Sequence, residues 1–251
     1  SEINATVKFS DGESKSVDLI WALSSGSGVL SGSIYTPAAK TETAVFIGSY
    51  TENGITKTAQ FKLKVIGLSS LTLSKTTDEV VSCTKYDLDQ IIVNDKLSNG
   101  ATNDITLITD WKLVSGFGTL TGMTYTAPAR AETAAFTANY TEAGITKTAQ
   151  FRLKVIALAS IKLSKATDKA QILAQYDLAS NIVVTAKLSN GQTKSISGND
   201  PNLKWTLSYG SGILSGTLYT PPERIETAIL TATYTENGVA QSAQLRLKSS
   251  A

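Results

Sequence analysis

Apolar and polar side chains alternate with a period of two over long stretches of this chain. Ala149, Phe151, Leu153 and Val155 alternate with Gln150, Arg152 and Lys154, and Phe136, Ala138 and Tyr140 alternate with Thr137, Asn139 and Thr141. Trp111 and Leu113 share one side, with Lys112 opposite. A period of two places each apolar set on one face of a strand. Turn residues separate the runs: Ser10-Asp11-Gly12, Ser98-Asn99-Gly100, Ser189-Asn190-Gly191, Glu52-Asn53-Gly54 and Glu236-Asn237-Gly238. Several of these fit two-residue hairpin turns. No stretch sustains a helical period. Many short strands with one apolar face each predict an all-β chain built from sandwiches.

The strands recur as one unit written three times. The run SGSGVLSGSIYTP (25–37) returns as SGFGTLTGMTYTA (115–127) and as YGSGILSGTLYTP (209–221). Trp111 follows Trp21 by 90 positions and Trp205 follows Trp111 by 94, the extra residues lying around ISGNDPN (196–202). SYTENGITKTAQFKLKV (49–65) recurs at 139–155 and, more divergently, at 233–249. The expected domains are therefore 1–66, 67–156 and 157–251. The junctions VIGLSSLTLSK (65–75) and VIALASIKLSK (155–165) are short and poor in glycine and proline, so they should restrict bending.

Each unit has the order alternating strand, S-[DN]-G turn, strand with tryptophan, G-x-G, a Y-T-x-P segment (Y-T-A-P in the middle unit), a strand rich in Thr and Ala, and a last L-K-V strand. This order resembles the bacterial immunoglobulin-like domains found in tandem on surface proteins and adhesins. The resemblance implies three tandem immunoglobulin-like β-sandwich domains in an extracellular or cell-surface setting. It also implies neighbouring immunoglobulin-like repeats or subunits as partners. It carries no catalytic residues.

Composition narrows the chemistry further. The 251 residues contain no histidine, and Cys83 is the single cysteine, which excludes an intrachain disulfide and any multi-cysteine zinc site. Net charge is +2 with acids and bases mixed, so there is no electrostatic footprint for nucleic acid. No stretch approaches the ~20 apolar residues of a membrane helix, so no membrane insertion is expected from this segment. No cofactor is expected.

The glycine-rich runs invite comparison with phosphate-binding loops. A dinucleotide fingerprint needs G-x-G-x-x-G between a strand and a helix. Here Gly26, Gly28 and Gly32 are spaced differently and lead into a strand, as do Gly116, Gly118, Gly210 and Gly212 in the other units. They read as turn glycines. Trp21, Trp111 and Trp205, with Tyr50, Tyr140 and Tyr234, read as structural core rather than sugar-stacking platforms. Cys83 aligns with Leu173, one period on, which predicts a buried, inert thiol. Glu52, Glu142 and Glu236, and Glu42, Glu132 and Glu226, read as solvated turn acids rather than a glycosidase pair. Asp87, Asp89 and Asp200 do not form a calcium loop, and the junctions carry no carboxylates. Lys8, Lys96, Lys187, Lys64, Lys154 and Lys248 alternate outward from apolar neighbours, which favours exposed surface over a lysine crosslink. Asn4 and Asn139 head N-glycosylation sequons.

The second unit opens with SSLTLSKTTDEVVSCTKYDL (69–88) and the third with ASIKLSKATDKAQILAQYDL (159–178). The first has no counterpart, since Ser1-Glu2-Ile3 aligns with Asp89-Gln90-Ile91. The first domain thus lacks its first strand. Either the chain is a fragment, or a donated strand from outside it fills the edge.

The reading is a non-enzymatic structural or spacer segment of a bacterial cell-surface protein, adhesin or extracellular fibre. The alternative is a glycan- or protein-binding module acting through loops of the third domain, where ISGNDPN is inserted. The short junctions predict an extended particle. Small-angle scattering should give a radius of gyration well above the ~18 Å of a compact chain of this length; a value near that figure would refute the expectation.

Overall fold

The computed structural model describes residues 3–250. The first repeat contains β1 (Ala5–Lys8), β2 (Ser14–Val17), β3 (Ile20–Ser25), β4 (Val29–Ser31), β5 (Ile34–Thr36), β6 (Glu42–Glu52) and β7 (Ile55–Val65). The second contains β8 (Leu68–Leu73), β9 (Thr77–Val81), β10 (Lys85–Asp87), β11 (Val93–Leu97), β12 (Thr102–Asp104), β13 (Asp110–Ser115), β14 (Thr119–Thr121), β15 (Thr124–Thr126), β16 (Glu132–Glu142) and β17 (Ile145–Ile156). The third contains β18 (Leu158–Leu163), β19 (Thr167–Gln171), β20 (Tyr176–Asp177), β21 (Val184–Leu188), β22 (Thr193–Ile196), β23 (Leu203–Tyr209), β24 (Ile213–Ser215), β25 (Leu218–Thr220), β26 (Thr227–Glu236) and β27 (Val239–Ser250). One helical turn, Leu178–Asn181, is capped by the Asp177 carboxylate, which accepts from the Ala179 N–H.

Packing divides the chain into two compact units. One holds residues up to Ser74 with 92–110 and 138–149; the other holds 75–91, 111–137 and the chain from Gln150 on. The second unit contains the whole third repeat. There β18–β21–β22 form one sheet, β19–β27–β26–β23 a second, and β20–β25–β24 a small third. Every contact is antiparallel except β19 on β27, which is parallel. Between the sheets lies one core that includes Ile161, Leu163, Trp205, Tyr219, Leu230 and Leu245. The first repeat, in the first unit, has the reduced set β1–β2, β3–β6–β7 and β4–β5. The second repeat follows the pattern of the third, with β12–β11–β8, β13–β16–β17–β9 and β10–β15–β14. Facing sheets of mainly antiparallel strands in this order make three tandem immunoglobulin-like β-sandwiches.

The period of two becomes burial. On β17, Phe151, Leu153 and Val155 are fully buried while Arg152 faces out. Trp111 lies inside with its ring edge-on to Phe151, centroids 6.3 Å apart. Trp205 and Tyr234 are buried in the third repeat. Trp21, Tyr50 and Tyr140 are only half-buried, short of the core placement expected for them. Trp21 and Tyr50 line an open groove in the reduced first repeat, and Tyr140 sits two residues from the end of β16, beside the hairpin tip.

Cys83 corrects the expectation of a buried thiol. It is exposed, at φ 56°, and Leu173 has the same left-handed conformation at φ 61°. The strand face that buries Val80 does not continue through such a residue, so an apolar side chain there points out of the fold.

Trp111→Ala should cost ~3–5 kcal/mol, as for other large aromatic truncations in a core. Chemical denaturation of the full chain checks this; a loss below ~1 kcal/mol would contradict the packing described.

Candidate functional site

The residues that sequence reasoning placed in solvated turns form the most conspicuous polar site, and it occurs in every repeat. In the first, Glu42 opens β6 and turns its carboxylate under the loop between β3 and β4. Ser27 donates to it twice, N–H to Oε1 and Oγ to Oε2, both at 2.8 Å. The Tyr35 hydroxyl donates to Oε1 at 3.0 Å and accepts from the Gly28 N–H at 3.2 Å. In the second repeat Glu132 accepts from the Phe117 N–H at 3.0 Å and from the Tyr125 hydroxyl at 2.8 Å. In the third, Glu226 accepts from Ser211 N–H at 2.7 Å and Oγ at 2.9 Å, and Arg224 donates to its Oε2 at 3.2 Å, from the position that Lys40 holds beside Glu42. Glu42 and Glu226 are largely buried, which corrects the reading of this set as solvated acids.

The G-x-G motif is explained by this clamp. Gly26, Gly116 and Gly210 adopt φ of 137°, 135° and 117°, which β-carbon-bearing residues avoid. Gly28, Gly118 and Gly212 have no such φ and are needed for a different reason. A β-carbon on Gly28 would lie 2.5 Å from the Tyr35 ring, and one on Gly118 or Gly212 would lie 2.4 Å from Tyr125 or Tyr219. The second glycine is thus a site of close approach rather than of turn geometry.

A second polar unit was missed from the sequence. In the second repeat the Asp78 carboxylate lies 2.5 Å from Lys75 Nζ and accepts from the Tyr86 hydroxyl at 2.7 Å. Asp168, Lys165 and Tyr176 repeat this at 2.6 and 2.5 Å. The signal was present as K-x-x-D followed eight residues later by Tyr, at 75–86 and again at 165–176. The Lys165 ammonium, then the Tyr176 hydroxyl, hold Asp168 down at about 2. Burial, then Asp78, pushes Tyr86 up to about 12. A tyrosine held protonated against a carboxylate held ionised is a staple, not an acid–base pair poised near neutrality.

The other candidates are dispersed. Glu52 pairs with Lys15 at 3.3 Å and Glu236 with Lys194; Glu142 ends β16 at the corresponding hairpin tip. Asp87 accepts from Thr124, and Asp89 lies in the helical turn Leu88–Gln90. Among the described residues no three Cys, Asp or Glu side chains are grouped to hold a metal. Five of the six singled-out lysines are exposed and Lys154 is half-buried, paired with Glu79; Asn139 donates its side-chain amide to the Asp110 carbonyl. The 196–202 insertion is tied to its own repeat. Asp200 accepts from the Asn202 N–H at 2.9 Å, and a β-carbon on Gly198 would lie 2.6 Å from the Ala179 Cα. No helix among the described residues is long and apolar enough to cross a membrane.

No protein-family model and no curated protein matches the chain. Among solved structures, the I-band fragment of titin aligns over 99% of this chain and 93% of its own, at 10% identity and a TM-score of 0.32. Extracellular cadherin domains of protocadherin gamma B7 align over 92% of this chain and 66% of theirs, at 8% identity and a TM-score of 0.27. An endo-fucoidan hydrolase of glycoside hydrolase family 107 aligns over 92% of this chain but 38% of its own, with a TM-score of 0.25. Scores this low carry no argument about function, and the sandwich assignment rests on the chain's own sheets.

The clamp predicts an acid response. The Ser27 N–H is the main cause that holds Glu42 at about 2, below its ordinary 4.5. A depressed carboxylate stabilises the fold fully above its unfolded value and loses that contribution as pH falls through its folded value. A carbon-detected NMR titration should place the Glu42 midpoint near 2, and Glu42→Gln should flatten the stability of the first repeat between pH 5 and 2. A midpoint above 4 would contradict the clamp.

Proposed function

We propose that the chain is a non-enzymatic spacer segment of a bacterial cell-surface protein, adhesin or extracellular fibre, with module limits at 1–66, 67–156 and 157–251. The observation that carries this reading is the closure of both junctions by the same bonds. At the first, the Ser98 N–H donates to the Gly67 carbonyl at 3.0 Å and the Gly67 N–H to Ser98 Oγ at 3.3 Å. At the second, Ser189 and Ala157 make the same exchange at 2.9 and 3.2 Å. The hairpin tip of the later repeat supports each junction. A β-carbon on Gly144 would lie 2.9 Å from Ala39, and one on Gly238 would lie 3.4 Å from Ala129, the residue one period after Ala39.

Junctions stitched by recurrent hydrogen bonds transmit force and orientation, and repetition lets length grow by adding units. The carboxylates and tyrosines of each repeat are spent on clamping their own loops. That use favours a mechanical role over catalysis, and a surface setting is where such a role applies.

Pulling single molecules by atomic force microscopy should give three separate unfolding steps. The second and third should each release about 30 nm, for about 90 residues at ~3.4 Å each, and the reduced first repeat should release less. One cooperative step, or extension without resistance, would overturn the spacer reading.

A further inference from the structure

The third repeat departs from the second at three positions that its own sheet brings to one face. Tyr209 stands where Ser115 stands, Ser211 where Phe117 stands, and Lys169 where Glu79 stands. In the second repeat these positions are closed on themselves. The Arg130 guanidinium lies 4.0 Å from the centroid of the Phe117 ring, and Glu79 takes Lys154 Nζ at 3.2 Å. In the third, Ser211 offers no ring, so the Arg224 side chain stays 70% exposed. Lys169 lies opposite Lys248, like charge against like charge. Tyr209, at the end of β23, is 67% exposed.

Tyr209, Ser211, Arg224, Glu226 and Thr227 line an open pocket of about 760 Å³. Its polar groups are of both kinds. Arg224 Nε and Nη2 donate to Glu226 Oε2 at 3.3 and 3.2 Å, and Nη2 also donates to Ser211 Oγ at 3.0 Å. Nη1 is left to meet a ligand, and the carboxylate and the Ser211 and Thr227 hydroxyls can accept. Beside the pocket the sheet register sets Tyr209, Ile229 and Arg246 in one row and Thr227, Lys248 and Lys169 in the next. Two strand spacings, ~9–10 Å, separate Tyr209 from Arg246, roughly the length of a disaccharide.

A buried group next to the pocket is unsatisfied. The Tyr219 side chain is 1% exposed and packs against Gly212, and its hydroxyl has no hydrogen-bond partner. The Tyr35 and Tyr125 hydroxyls donate to Glu42 and Glu132 at 3.0 and 2.8 Å. In the third repeat Arg224 holds the equivalent carboxylate instead. An unpaired buried hydroxyl is a cost in the free state that a ligand can remove. An anion taken by Arg224 would release Glu226 to accept from Tyr219.

We propose that this face of the third repeat binds an anionic saccharide, one that bears uronate or sulfate groups. The Tyr209 ring stacks on the apolar face of one sugar and Arg224 takes its anion. Glu226, Ser211 and Thr227 receive its hydroxyls, and Arg246 and Lys248 meet the anion of the next sugar. The acceptors favour a polyol over nucleic acid, because a phosphodiester chain brings anions but few hydroxyl donors. Single-strand readers also present several stacking rings, and this face has one. The module that sets distance in the spacer would then carry a ligand surface as well.

The test titrates the isotope-labelled full chain with hexasaccharides of galacturonate, of sulfated dextran and of neutral dextran, and with an oligothymidylate. One or both anionic sugars should bind saturably, and the stronger of the two identifies the anion. Binding should shift the amides of Tyr209 and Ser211 and the Arg224 Nε signal. Tyr209→Ser, which installs at an exposed position the residue of the other repeats, should weaken binding about five- to tenfold, the scale of one lost stacking contact. Lys169→Glu, also at an exposed position, should weaken it about two- to fivefold, the scale of one exposed charge. Absence of saturable binding by both anionic sugars, or undiminished binding by Tyr209→Ser, would overturn the proposal. So would equal affinity for neutral dextran, or tighter binding of the oligothymidylate.

Discussion

The long central hairpin of each repeat has one face that admits only an alternation of small and large apolar groups, and the remaining strands are arranged around that face. On β6, Ala44, Phe46 and Gly48 point inward in turn. Phe46 lies opposite Phe61 across the hairpin and Gly48 lies opposite Trp21. A β-carbon on Gly48 would lie 3.0 Å from the Trp21 ring. In the third repeat Ala232 occupies the same place opposite Trp205. The small residue makes room for the indole, and the large one beside it fills the space between sheets. Burying one such aromatic contributes on the order of 2–3 kcal/mol, so the Thr-Ala-rich strand is a packing requirement.

A sandwich built on that face still has to bring its short edge strands back over the core, and the carboxylate clamp does this. The acid that opens the central strand holds the loop leaving the tryptophan strand, so two elements distant in sequence are fastened at one point. In the first two repeats the tyrosine joins the same carboxylate from within the core. The clamp therefore links a backbone turn, a buried ring and the central hairpin. The Lys–Asp–Tyr staple does similar work for the segment that opens the later repeats. Both units use ionised carboxylates as hydrogen-bond acceptors, where a charged acceptor is stronger than a neutral one.

Strand faces, turn positions and the threefold repetition were legible in the sequence because each depends on local order: a period of two, a glycine after Asn or Asp, and a recurring tryptophan. The clamp was harder to read. Glu42 and Ser27 are 15 residues apart, and a glutamate beside threonines looks like a solvated acid until the loop is seen to fold over it. Cys83 and Leu173 misled for the opposite reason. Their recurrence as apolar residues suggested a core position, but both occupy left-handed turn positions. Side-chain type recurs with backbone conformation as well as with burial, and sequence alone does not separate the two.

The first repeat shows which part of the burial depends on the segment that opens the later repeats. It keeps the central hairpin, the tryptophan strand and the clamp, yet has no counterpart of the segment that supplies an antiparallel strand, a parallel strand and a bend to each later repeat. What changes is burial at the positions that segment would cover: Trp21, Phe61 and Leu63 lose their seal, while Ala44 and Phe46 on the hairpin face remain buried. The sandwich is thus a hairpin-centred core with a separable cover.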